Sequence, residues 1–153
     1  MILYGIDYTE RMRPILASGV RYKLVVIRCQ EAVKESALNV GKELARVVMG
    51  ISKQYGKAGE MKFQMEVVEA LEGIVRKNIL VDEELGDYVV MENLGILFEP
   101  ELGIDVVRFL KKVSKTTLTV LLWPGEIGAD MLYFLSRDSE ITLKQTDINY
   151  ITI

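Results

Sequence analysis

The chain has 153 residues, half of them hydrophobic and 27% charged, with a net charge of −3. That length suits a single domain with its own core, and the acidic balance argues against a protein built as a whole for the phosphate backbone, while leaving room for a local basic face. Histidine is absent and cysteine occurs once, at Cys29, which excludes a Ser-His or Cys-His nucleophile pair and argues against a disulfide framework or a structural zinc site.

Residues Met1 to Ser18 predict a leading helix with Met12, Ile15 and Leu16 facing inward, broken or started near Pro14 and stopped at Gly19. Tyr22 to Arg28 is a nearly continuous β-branched run, the pattern of a buried central strand. Cys29 follows as a small buried hydrophobe. Ala37 to Val40 is a shorter strand candidate, and Gly41 to Ile51 has helical periodicity through Leu44, Val47, Val48 and Ile51. Ser52 to Glu60 is polar and contains glycine, so it is read as a loop.

Met61 to Asn78 carries the longest helical pattern, and Met61 and Met65 are read with it as core filler. Asp82-Glu83-Glu84 is an acidic turn before a strand over Asp87 to Glu92. Asp105 to Val113 predicts a helix with Val106, Phe109, Leu110 and Val113 inward, and Thr117 to Trp123 the next strand. Gly128 to Leu135 reads as a short helix. The tail, Glu140 to Leu143 and Ile148 to Ile153, is β-rich and predicts an edge strand or hairpin. Strands alternating with helices predict an α/β fold: a mostly parallel sheet of about five strands with helices on both faces. No apolar run approaches the ~18 residues of a membrane span, and the first residues lack the uninterrupted apolar core of a signal peptide. The expected location is therefore cytoplasmic, with no membrane partner.

Two constellations bear on chemistry. Glu92 and Asn93 end an apolar strand, and ligands in α/β sheets collect at the carboxyl ends of strands. An acid there can hold Mg²⁺ through water, with Asn93 as a second oxygen ligand; the plainer reading is a strand end and a turn. Ser36 to Glu43 has the frame of a phosphate-binding GxxxxGK[S/T] loop, with Gly41 and Lys42 in place. Ser36 replaces the first glycine, however, and Glu43 replaces the hydroxyl that ligates Mg²⁺. A short strand running into a helix is the preferred reading of that segment. Trp123-Pro124-Gly125 closes a strand with a forced exit and a permissive turn, and Trp123 and Phe98 are expected in the core.

The segment from Val89 to Gly125 resembles the small P-loop-containing BrxF family of bacteriophage-exclusion (BREX) defence systems. The resemblance rests on Glu92-Asn93, on Ile96-Leu97-Phe98-Glu99-Pro100, on the helix through Val106 to Leu110 and on Trp123-Pro124-Gly125. It extends upstream to Leu38 to Leu44 and covers roughly two-thirds of the chain. It implies a P-loop-NTPase-like sheet in which a phosphate loop and its helix lie between the first and second strands. Here only residues 29–36 lie between those strands, too few for both. The strand-end Asp of the family is Glu92 here, and a Glu expected three residues later is Gly95. The resemblance therefore implies a degenerate nucleotide site and a non-catalytic subunit, with no cofactor, acting through protein–protein contacts with other defence subunits or with itself. The alternatives are an ATP- or GTP-binding switch, holding ATP and Mg²⁺ through Gly41, Lys42, Glu92 and Asn93 on a divergent loop, and a housekeeping interaction module. A nucleic-acid partner stays open. The tail with Leu132-Tyr133-Phe134-Leu135 is the candidate partner surface if Ile148 to Ile153 does not pair within the sheet; pairing within the sheet is preferred.

Overall fold

In a computed structural model of the chain, residues 1–3, 5–28, 37–52 and 60–153 are described, so Cys29, Ser36 and residues 53–59 of the expected loop lie outside them. In chain order the elements are β1 (Ile2–Leu3), β2 (Ile6–Asp7), α1 (Thr9–Ala17), β3 (Leu24–Arg28), β4 (Leu38–Asn39), α2 (Val40–Ser52), α3 (Glu60–Lys77), β5 (Leu80–Asp82) and β6 (Gly86–Glu92). After two 3-10 turns over 94–102 come α4 (Val106–Ser114), β7 (Leu118–Trp123), β8 (Glu126–Ile127), β9 (Met131–Tyr133), β10 (Thr142–Lys144) and β11 (Ile151–Thr152).

Five strands run parallel in the order β11-β3-β7-β6-β4. The apolar runs β3 and β7 pair along their length, from Leu24 opposite Thr119 to Arg28 opposite Trp123. The outer edge of β6 is shared. β4 pairs with its last residues, Met91 and Glu92, and β5 pairs antiparallel with Gly86 to Tyr88. The acidic turn at Asp82-Glu83-Glu84 joins β5 to β6, where Gly86 takes a φ of +77°.

Alternation along each strand builds two cores. Leu24, Val26, Val89, Met91, Leu121 and Trp123 face α2, α3, α4 and the small strands β8 to β10. Val25, Ile27, Val90, Val120 and Leu122 face α1 and the β1-β2 hairpin through Met12, Ile15, Leu3 and Tyr8. Helices therefore cover both faces of a mostly parallel α/β sheet, as its strand–helix alternation predicts. The tail supplies β11, whose Ile151 and Thr152 lie beside Val25 and Val26, so it pairs within the chain as the last parallel strand.

Three expectations change. The leading helix begins only at Thr9, because β1 and β2 form an antiparallel hairpin around Gly5 at φ +73°. The Asp7 carboxylate then accepts the Thr9 N–H (3.0 Å) and the Thr9 hydroxyl (2.6 Å), which sets the helix start. Gly128 to Leu135 is not a helix: β8, β9 and β10 make a separate antiparallel sheet, with Leu132 opposite both Ile127 and Leu143. Short apolar runs suit either state, and here the partner strands decide. Met61 and Met65 are not core filler. They stand 77% and 66% exposed, while Val67, Leu71 and Val75 form the buried stripe of α3.

Candidate functional site

The carboxyl ends of the parallel strands bring the sequence candidates to one end of the sheet. β4 delivers Asn39, directly beside Glu92 at the tip of β6. The helix α2 starts at the next residue, Val40, and carries Gly41 and Lys42 in its first turn. Asn93, one residue past β6, turns the chain with a left-handed φ of 54°, a conformation that Asn tolerates better than most residues. Gly41, Lys42, Glu92 and Asn93 are thus neighbours, although 50 residues separate the pairs in sequence.

Their hydrogen bonds define what the cluster does. The Asn39 side-chain oxygen accepts the Lys42 N–H at 2.9 Å, so Asn39 is the N-cap of α2. The same oxygen accepts the Asn93 side-chain amide at 2.8 Å. The Gly41 N–H donates to the Asn93 carbonyl at 3.0 Å. A Cβ at Gly41 would stand 2.3 Å from the Asn93 amide nitrogen, so only glycine permits this approach. Two of the backbone donors a phosphate would need at this helix start are therefore committed inside the protein. The Glu43 carboxylate in the first turn adds negative charge there, which favours the helix and opposes an anion. The Lys42 side chain projects into solvent. Among the described residues no group of three or more acidic or cysteine side chains is placed to hold a metal ion. Glu92 and Asn93 stand at the strand tip, and the Gly41 and Lys42 amides beside them are already bonded within the protein.

Behind the strand tips lies an apolar cluster that the sequence offered only in pieces. Phe98 packs edge-on against Trp123 with ring centres 6.2 Å apart, and Phe134 touches both, at 5.2 Å from Phe98 and 5.9 Å from Trp123. Trp123 is fully buried and Phe98 half-buried. The Trp123 indole N–H donates to the Tyr133 carbonyl at 2.9 Å. A Cβ on Gly125 would come 2.0 Å from that same carbonyl oxygen, so the Trp-Pro-Gly corner needs a glycine to lie against β9. The Phe-Glu-Pro and Trp-Pro-Gly motifs are thus two sides of one packing unit. Leu132 is buried and Phe134 is half-buried, which withdraws most of that segment from the candidate partner surface; Leu135 alone stands out, 66% exposed with a left-handed φ of 69°.

The sequence offers Tyr133 and Phe134 only as part of a candidate partner surface, and Asn39 only as part of a strand candidate. Asn39 had a readable signal, an Asn immediately before a helical pattern. Tyr133 acts through its carbonyl, which no sequence pattern reports. Arg28 and Glu126 also meet at this end, with a 3.3 Å ion pair between the tip of β3 and β8.

Among the described residues no helix is long and apolar enough to cross a membrane. No protein-family model, curated protein or solved structure matches the chain.

Proposed function

We propose that this chain is a non-catalytic, P-loop-NTPase-like subunit with a degenerate nucleotide site, acting through protein–protein contacts in a phage-exclusion defence assembly. The observation that carries the reading is the hydrogen bonding at the start of α2: the Gly41 and Lys42 amides are held by the Asn93 carbonyl and the Asn39 side chain. Phosphoryl-transfer catalysis rests on positioned donors and cations around the phosphates. Here the donors serve to lock β4, α2 and β6 together. The sheet supports the same reading, because β3 lies in its interior while β4, the next strand in sequence, lies at its far edge. Only residues 29–37 separate these two strands in sequence, too few for a phosphate loop and its helix. The link to defence rests on the motif resemblance alone.

Calorimetry with ATP, ADP and GTP in the presence of Mg²⁺ tests the nucleotide half of the reading. No heat of binding and no turnover are expected. Binding abolished by Lys42→Ala or Glu92→Gln would establish the nucleotide switch instead. Affinity capture from cells carrying the neighbouring genes tests the other half, since recovery of no neighbouring product would favour the housekeeping module.

A further inference from the structure

A separate charged surface runs along α4 to the end of the sheet where β3 and β7 begin. α4 and the residue that caps its C-terminus present Arg108, Lys111, Lys112 and Lys115 at spacings of three and four residues. Those positions fall within roughly 100° of the helix circumference and extend about 10 Å along it. The loop before β3 joins them. The Lys23 N–H donates to the Ser114 carbonyl at 2.8 Å, and the Tyr22 ring lies between Arg21 (5.3 Å) and Lys111 (5.7 Å). Of these six cations only Lys112 has an acidic partner among the described residues, Glu72 at 2.9 Å.

Helix stability does not account for this arrangement. The macrodipole favours cations in the last turn, which covers Lys111 and Lys112, but Arg108 stands in the first turn, where a cation is disfavoured. Like charges three and four residues apart destabilise a helix. A protein-binding role fits poorly as well. Interface cores are apolar and depleted of charge, and none of the exposed large apolar side chains among the described residues lies on α4 or on 21–23. A surface on which five of six cations lack an acidic partner among the described residues, and which has no exposed apolar anchor, selects a partner by charge.

The geometry points to a nucleic-acid-binding surface on this protein: α4 and the 21–23 loop engage the phosphate backbone of a nucleic acid, without reading its sequence. The contact is independent of the strand tips and of any nucleotide site.

Fluorescence anisotropy of the full chain tests this, with labelled single-stranded and duplex DNA of roughly 20 nucleotides titrated from about 50 to about 200 mM salt. Binding is expected at the low end, with log K falling linearly against log salt. The variant Lys111→Gln/Lys112→Gln/Lys115→Gln should weaken binding at least about tenfold and reduce the slope by about 3. Arg108→Gln/Lys115→Gln, both exposed, serves if the triple variant melts early, and should reduce the slope by about 2. Arg11→Gln/Lys62→Gln/Arg137→Gln removes the same charge elsewhere and should leave both quantities unchanged. No binding of either DNA form at about 50 mM salt would overturn the proposal, as would equal weakening by the control variant. Displacement of DNA by polyglutamate at equal charge concentration would assign the surface to an acidic protein and overturn it too.

Discussion

Trp123 donates its indole N–H to the main-chain carbonyl of Tyr133, a bond that ties the central sheet to the small antiparallel sheet. The donor sits at the last residue of β7 and the acceptor at the last residue of β9. The ring is fully buried between Phe98 and Phe134, so packing and hydrogen bonding can be separated by substitution.

Trp123→Phe keeps an aromatic ring and loses the donor to the Tyr133 carbonyl. It should cost about 1–3 kcal/mol. Trp123→Ala also empties a large buried site and should cost about 3–5 kcal/mol. Urea denaturation measures both. Equal losses in the two variants would show that the indole N–H carries the whole effect and the ring packing none.

At the start of α2 the cap and the charge should behave differently. Asn39→Ala removes the acceptor for the Lys42 N–H and the Asn93 amide and should cost about 1–2 kcal/mol. Asn39→Asp keeps both acceptor contacts and should stay within about 0.5 kcal/mol of the wild type. Lys42→Ala should also be silent, because only its backbone amide takes part. A destabilising Lys42→Ala would show that the side chain has a structural partner and defeat this account of the site.

Tyr150 is buried with its hydroxyl unpartnered, and burial, with the nearby Asp130, pushes its pKa up. An unsatisfied buried hydroxyl costs free energy. Tyr150→Phe should therefore raise stability by about 1 kcal/mol. A loss of stability would mean that the hydroxyl bonds an internal water.

The Asp82 carboxylate accepts the N–H groups of Glu84 and Leu85 at 2.9 and 3.0 Å, and these bonds hold its pKa below the ordinary 3.8. The Thr9 hydroxyl and N–H lower Asp7 in the same way. A carboxylate with a depressed folded-state pKa stabilises fully above its unfolded value and loses that contribution as pH falls through the folded value. Stability should thus decline as pH falls below the ordinary 3.8, and Asp82→Asn should flatten that decline. Urea midpoints across the window give the answer, and parallel profiles would remove Asp82 as a cause.

Truncation of Ile148 to Ile153 removes β11 together with the buried Ile148 and Tyr150. Circular dichroism should show loss of the cooperative fold. A folded, monomeric truncation would show that the strand is dispensable to the sheet.

Residue types alone determined a good deal about this protein. The runs at 24–28 and 118–123 read as buried strands, because nearly every side chain is apolar and many are β-branched. The α4 pattern placed Phe109 and Leu110 inward correctly, and strand–helix alternation predicted the parallel sheet. The tertiary structure decided the rest, wherever a contact distant in sequence outweighs local preference. The segment 131–133 is a strand because β8 and β10 flank it and Trp123 holds its end, interactions invisible in a short apolar window. Gly41-Lys42 has the frame of a phosphate loop within a segment best read as a strand running into a helix, and only the fold shows that Asn93, just past β6, takes the Gly41 amide. The first helix is shortened by a hairpin that only docking on the sheet makes worthwhile, since an isolated two-stranded ribbon is marginal in water.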